Sequence, residues 1–118
     1  MRDVRLKRAL TLTAVILSVC CILATLAFAF VQENEAGAAV YKKRCLMCHG
    51  ENGIGDTKAG KMMSTPDITT AEWKNGKTVE DLVTTLHKGL GKMPKFEGKL
   101  SDDELRAVSE YVVEKFVK

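Results

Sequence analysis

The chain has 118 residues and a formal net charge of +3, which allows one small domain and little more. Residues 1–29 contain four basic residues and one acidic residue, so they account for the whole excess of positive charge. The rest of the chain is formally neutral and has no basic excess to neutralise phosphates, which argues against nucleic acid as a partner. A domain of about 90 residues buries a modest core and often needs a covalent cross-link or a bound metal for stability.

The first segment of the chain has the pattern of an export signal. A basic start precedes an uncharged run from Ala9 to Val31, and Ala27-Phe28-Ala29 has the small-x-small pattern of a cleavage site. Cleavage after Ala29 would divide the chain into a leader, 1–29, and a domain, 30–118. As an uncleaved anchor, the 23-residue run would measure about 34 Å as a helix and could span a membrane. Both interpretations place the domain outside the cytoplasm, because the positive flank stays inside.

The four cysteines divide between the two segments. Cys20 and Cys21 lie within the apolar run, where they serve as small apolar residues or, in the alternative interpretation, as a site of lipid attachment. Cys45 and Cys48 are the two that remain in the domain. A disulfide between residues three apart would close a trivial loop and constrain the unfolded chain very little.

Three helices are predicted in the domain, and the predicted fold class is all-α because no run alternates with a period of two. They cover about residues 34–45, 78–90 and 101–117. Gly37, Tyr41 and Cys45 lie four apart and share one face of the first helix. Thr78 and Ser101 are followed three residues later by an acid, which is the capping-box pattern of a helix start.

The segments between these helices are predicted to be irregular. Residues 50–66 and 89–99 are each rich in glycine and contain one proline, which is typical of loops. A short helix is also predicted near residues 70–75.

The string Cys45-Leu46-Met47-Cys48-His49 is typical of c-type haem attachment. Two cysteines three apart on a helical turn can each reach one vinyl group of the same porphyrin, and His49 can then supply the proximal nitrogen to the iron. A thioredoxin-like C-x-x-C motif needs a βαβ context, and a zinc site needs a second pair of ligands. The sequence contains neither.

An electron carrier also needs a ligand on the second face of the iron, and methionine is the ligand that raises the potential. Met93 is favoured, because it lies in a loop that the following proline stiffens and that could cross a haem face. Core filling is the other use for this side chain. Met62 and Met63 are the fallback, and His87 would give bis-histidine ligation.

Several segments resemble small class I bacterial cytochromes c. Residues 41–50 resemble the haem-attachment segment, and residues 91–96, 100–105 and 111–112 are similar to the methionine loop and last helix of cytochromes c6 and c553. The resemblance covers about residues 37–113. It implies a small cytochrome c fold, with three main helices and loops wrapped around one covalent haem, and a monomeric protein.

The resemblance also implies roles for single residues. It implies that Met93 is the distal ligand of the iron. It implies that the first helix crosses the last through Gly37 and Tyr41 against Tyr111. It further implies that the Pro66 carbonyl accepts a hydrogen bond from the proximal histidine, His49.

Together these features predict a single-electron carrier in a respiratory or related chain, and not an enzyme. The predicted cofactor is one haem c with its iron, and the predicted location is the periplasm or the outer face of the membrane. A tether through residues 9–31 would favour the alternative, a cytochrome c subunit of a larger oxidoreductase. A haem enzyme or gas sensor with an open iron site is a third interpretation, and ligation by Met93 argues against it.

Basic residues flank the predicted haem ligands and predict a docking surface for an acidic redox protein. They are Lys42, Lys43, Arg44, Lys58, Lys61, Lys92, Lys95 and Lys99. A solvated lysine-rich surface without a steering role is the alternative.

Overall fold

The computed structural model describes the backbone of residues 2–118 and the side chains of residues 2–25 and 35–118. The chain forms two compact units, Met1–Gln32 and Glu33–Lys118. The side chains at the predicted cleavage site, residues 27–30, lie outside the described residues.

The described part of the chain is helical, which confirms the predicted all-α fold class. Its elements are α1 (Arg2–Val40), a first π-helical turn (Tyr41–Cys45), α2 (Leu46–His49), α3 (Lys58–Met63), α4 (Ala71–Lys74), α5 (Val79–Lys88), α6 (Asp102–Val112) and a second π-helical turn (Val113–Val117). Within residues 2–118 no strand forms, and the extended pairing consists of two isolated bridges, Leu90 with Met93 and Glu97 with Leu100.

In the first unit, Arg2–Thr25 is a 24-residue apolar stretch of α1 with a mean hydropathy of 2.0 and no buried residues. Among the described residues it is the one helix long and apolar enough to cross a membrane, a test that a signal sequence also passes. Cys20 and Cys21 are exposed free thiols on this stretch.

In the second unit, the end of α1 packs closely against α6. A Cβ added at Gly37 would overlap the Ala107 carbonyl oxygen and would lie 2.8 Å from the Tyr111 Cβ, so only glycine permits this approach. The Tyr41 ring lies 5.5 Å from the Tyr111 ring and 5.6 Å from the Phe116 ring, in tilted contacts. The predicted contact of the first helix with the last is therefore confirmed.

Helices α5 and α6 begin where their capping signals predict. Thr78 and Ser101 accept hydrogen bonds from backbone N–H groups three residues later, and Asp81 and Glu104 bond back to the cap residues. The apolar faces of both helices meet in one core. Its buried members are Val40, Tyr41, Cys45, Ile68, Leu86, Phe96, Leu105, Val108 and Phe116.

Three boundaries differ from the prediction. Residues 50–66 are not a continuous loop, because they contain α3, which Thr57 caps by accepting from Gly60 N. The first helix does not start at residue 34, since α1 begins at Arg2, and helical structure continues past residue 45 to His49. Helix α5 ends at Lys88 rather than residue 90, because Gly89 takes a φ of 74°, outside the helical range.

Candidate haem-binding site

The three residues of the attachment motif lie together on adjacent turns of helix. Cys45 ends the first π-helical turn and is buried, while Cys48 and His49 lie half-buried in α2. Both thiols are free. The spacing of three places the two thiols on one side of the helical segment, which is the arrangement that bonding to two vinyl groups of one porphyrin requires.

The thiol of Cys45 is held in its neutral form. Burial, and secondarily the nearby Cys48, raise the pKa of Cys45 to about 11. Zinc ligation and thiol–disulfide exchange both use the thiolate, so this environment disfavours those two chemistries. A neutral buried thiol beside a second cysteine is compatible with covalent attachment of an apolar group.

The imidazole of His49 is also neutral, because burial lowers its pKa below the usual value of 6.5. A neutral imidazole is the form that binds a metal. Its Nδ1 atom is buried and has no hydrogen-bond partner among the described residues. The two thiols and the neutral imidazole therefore fit a covalently attached haem with its iron.

The predicted hydrogen bond from His49 to the Pro66 carbonyl is wrong for this structure, since Nδ1 has no partner in the described part of the chain. The segment around Pro66 is held elsewhere. Thr65 N donates to Gly60 O, Ile68 N donates to Gly53 O, and Pro66 itself is exposed.

The carbonyl groups at the end of α2 are all paired. A helix end leaves its last carbonyls without intrahelical partners, so donors must come from elsewhere. Tyr41 OH donates to Gly50 O at 2.8 Å, and Gly55 N donates to the carbonyl of residue 49 at 3.0 Å. The Thr57 hydroxyl lies 2.7 Å from the carbonyl oxygen of residue 47 and 3.2 Å from that of residue 48. Burial raises the pKa of Tyr41 far above its usual value, so its hydroxyl stays a donor.

Met93 lies in a short loop that is tied at both ends. Leu90 N donates to Met93 O at 3.2 Å and Met93 N donates to Leu90 O at 2.9 Å. Further along, Phe96 is buried and its N–H donates to Leu86 O at 2.8 Å, which fixes the loop on α5. The Met93 side chain is partly buried against the same core cluster that contains Cys45.

The alternative ligands differ from Met93 in exposure or in partner. Met62 is 71% exposed and Met63 is 43% exposed, while Met47, inside the motif, is 73% exposed. His87 lies with its Nε2 atom 3.4 Å from Asp102 Oδ1, in a contact that joins α5 to α6. Met93 is thus the candidate of these that packs against the core cluster to which Cys45 belongs.

The basic side chains that flank the motif and the methionine loop are all exposed. Within the described side chains, ion pairs form between Arg106 and Glu80, between Arg106 and Glu110, and between His87 and Asp102. None of these pairs involves the eight flanking basic residues, so their charges are not neutralised by direct partners in the described part of the chain.

Comparison with known proteins gives three kinds of likeness. Residues 32–112 match the family described as cytochrome c oxidase, cbb3-type, subunit III. The chain is 38% identical over 87 residues to a cytochrome c6 of Leptolyngbya boryana, which covers 73% of this chain and 96% of that protein. It is 34% identical over 79 residues to the cbb3-type cytochrome c oxidase subunit CcoP of Azospirillum brasilense, which covers 66% of this chain but 27% of that protein.

A solved structure shows the same likeness in three dimensions. The c-type cytochrome KustC0563 superimposes with a TM-score of 0.61 at 29% identity, over 70% of this chain and 98% of that chain.

Proposed function

This chain belongs to the class I monohaem cytochromes c, and we propose that Cys45 and Cys48 bind its haem while His49 and Met93 hold the iron. It is an electron-transfer protein and not an enzyme, and covalent haem c with its iron is its cofactor. The observation that carries the ligand proposal is the placement of Met93. It is partly buried against the core that contains Cys45, whereas Met62 and Met63 are exposed.

The chain's own residues supply what single-electron transfer needs. A haem c provides the one-electron couple of its iron. The neutral imidazole of His49 and the thioether of Met93 would hold the iron of this group. A soft thioether also favours the reduced iron and raises the potential. The two hydrogen bonds between Leu90 and Met93 restrain the backbone that carries this thioether.

We infer that residues 30–118 are the haem domain and that residues 1–29 act as a leader or as a membrane anchor. The domain is exported, as the apolar stretch Arg2–Thr25 and the likeness to cytochromes c6 and CcoP support. A cleaved leader gives a carrier in the periplasm. A retained anchor favours the alternative, a subunit of a larger oxidoreductase, which the match to cbb3-type subunit III supports. N-terminal sequencing distinguishes them, since cleavage after Ala29 exposes Phe30.

The protein acts with redox partner proteins, and we propose that its docking surface for them is basic and that the carrier is a monomer. The exposed lysines and arginine flank residues 45–50, called the attachment turn below, and the methionine loop, and they carry unpaired charge among the described residues. An acidic partner would be attracted to that side of the domain. Interfaces for redox encounters are small, so no extended apolar patch is required.

The ligand proposal is tested by optical spectra of the oxidised and reduced protein, with and without carbon monoxide. We expect a low-spin spectrum, a weak sulfur-to-iron charge-transfer band and no carbon monoxide binding. Met93→Ala should abolish the band and open the iron to carbon monoxide. Met62→Ala, which removes an exposed thioether from the neighbouring α3, should change neither property. An intact band in the Met93→Ala protein would overturn the assignment.

A further inference from the structure

The attachment turn is held by two side-chain hydroxyls that come from outside α2. One belongs to Tyr41, in the first π-helical turn, and the other to Thr57, which precedes α3. We propose that the hydroxyls of Tyr41 and Thr57 are positioning groups for His49, which fix the backbone on both sides of it and thereby set the ligand field and potential of the iron. The inference rests on the proposal that His49 is the proximal ligand.

Tyr41 holds the residue that follows His49. Its side chain is 3% exposed and its ring is wedged between Tyr111 and Phe116, so it has little freedom to move. From this position its hydroxyl donates to the carbonyl oxygen of Gly50 at 2.8 Å. Gly50 is buried and its own N–H donates to Leu46 O at 2.9 Å, so the two bonds together hold the backbone just beyond the ligand.

Thr57 holds the residues that precede His49. Its Oγ1 atom donates to the carbonyl of Met47 at 2.7 Å, with the carbonyl of Cys48 at 3.2 Å as a second acceptor. The same oxygen accepts from Gly60 N at 2.8 Å, so one hydroxyl joins the start of α3 to the end of α2. A Cβ at Gly60 would overlap the Cys48 carbonyl oxygen, and the absence of a side chain there keeps the two helices in contact.

These hydrogen bonds also have an electrostatic effect on the site, in addition to positioning the backbone. The carbonyl groups at a helix end carry partial negative charge, which favours the more positively charged state of a nearby metal. A hydroxyl that donates to such a carbonyl offsets part of that charge. Loss of the donor should therefore stabilise ferric over ferrous iron, while the loosened turn lets the imidazole of His49 change its orientation.

Three variants separate positioning from packing. Tyr41→Phe keeps the buried ring and removes only the hydroxyl. Thr57→Val keeps the branched shape and removes the hydroxyl, whereas Thr57→Ser keeps the hydroxyl and removes the methyl group. The matched control is Tyr111→Phe, because the Tyr111 hydroxyl accepts from Lys115 Nζ at 2.9 Å on the surface and makes no bond to the attachment turn.

The measurements are the midpoint potential and the electron paramagnetic resonance spectrum of the haem-loaded ferric protein, with thermal stability recorded separately. At the ambient potential where the wild type is half reduced, Tyr41→Phe and Thr57→Val should show a several-fold lower ratio of reduced to oxidised protein. Their g-values should also shift. Thr57→Ser should stay close to the wild type, and Tyr111→Phe should match it.

The inference would be overturned if both hydroxyl-deletion variants kept the wild-type potential and g-values, even with lowered stability. The two hydroxyls would then contribute only to packing. If Tyr41→Phe fails to fold, the comparison of Thr57→Val with Thr57→Ser decides alone. A wild-type spectrum without low-spin axial ligation would instead reject His49 and Met93 as the ligand pair, and the inference would fall with them. The wild-type spectrum therefore tests the proposed function, and the variants test the positioning.

Discussion

At the scale of single residues, close backbone contacts depend on glycines. Gly37 brings α1 against the carbonyl of Ala107, and Gly60 brings α3 against the carbonyl of Cys48. In both places the missing side chain lets a helix approach the main chain of its neighbour. The aromatic cluster around Tyr41 and the attachment turn depend on these approaches, so the two glycines support the site without touching a ligand.

Gly37→Ala should destabilise the protein. Alanine is favoured over glycine inside a helix by about 1 kcal/mol, but its methyl group would overlap the Ala107 carbonyl and force α1 away from α6. Overpacking costs about 1–3 kcal/mol, and because the overlap here is with the backbone and not with a movable side chain, we expect this cost to exceed the propensity gain. Urea denaturation of the haem-loaded protein measures the loss. Ala36→Gly is the control at an exposed neighbour and should cost only the helix propensity. A Gly37→Ala protein as stable as the wild type would contradict the close contact.

That the three residues proposed to hold the haem lie together could be predicted, because it depends on local spacing. Cys45, Cys48 and His49 lie within five residues, so helical geometry alone brings them together. The contacts of Thr57 and the Tyr41 hydroxyl could not be predicted in this way. They join residues nine or ten apart in the sequence through backbone carbonyls, which leave no trace in residue type. Thr57 before the helix-forming pair Lys58-Ala59 is the one local signal that α3 begins there.

At the scale of elements, α5 and α6 could be predicted from their complete capping boxes, whereas α3, which has a cap residue but no capping box, could not. Both longer helices carry a hydroxyl cap, an acid three residues later and an apolar face. Helix α3 has six residues with a glycine in the middle, and it forms because Thr57 caps it and α2 packs on it. Glycine-rich composition indicated a loop there, and tertiary contact overrode that local preference.

The capping box of α5 should give the protein a sensitivity to acid. Hydrogen bonds from the Thr78 side chain and then its backbone lower the pKa of Asp81 below its ordinary value of 3.8. The unfolded chain therefore takes up the proton first as the pH falls. The stabilisation from this carboxylate is complete above 3.8 and disappears as the pH drops through the lower folded-state pKa.

Asp81→Asn removes this titration while keeping a side chain of the same shape. The variant should be less stable than the wild type at neutral pH, and the difference should shrink as the pH falls below 3.8. Urea denaturation across that range measures the gap. Asp103→Asn is the control, since it neutralises an exposed carboxylate in the first turn of α6 that takes no part in that helix's capping box. A gap for Asp81→Asn that stayed constant with pH would contradict the assigned hydrogen bonds.

At the scale of the whole molecule, charge is distributed unevenly although it sums to nearly nothing. Residues 30–118 are formally neutral, so the domain as a whole offers no steering force beyond its own dipole. The flanking basic residues, however, belong to the segments that carry His49 and Met93, and acids such as Asp103 and Glu104 lie on α6. Reaction rates with charged probes should therefore report the local charge beside the haem and not the net charge.

This asymmetry predicts how salt changes the rate of electron transfer. The rate constant for oxidation by ferricyanide, a small anion, should fall as ionic strength rises, because counter-ions screen attraction beyond about 10 Å at 0.1 M salt. A cationic cobalt complex of similar size should show the opposite trend. Lys58→Glu, beside the attachment turn, should weaken the salt dependence with ferricyanide. Lys118→Glu makes the same charge change at the chain end and should have a smaller effect.

Stopped-flow kinetics at several salt concentrations measure all six combinations of the three proteins and two probes. If the net charge governed the encounter, both lysine variants would shift the rates equally. If the basic residues were only a solvated surface, the rate with each probe would be independent of salt. A fall with ferricyanide that Lys58→Glu weakens more than Lys118→Glu is expected only if the electron leaves through the basic side of the domain, which is the side that an acidic partner would meet.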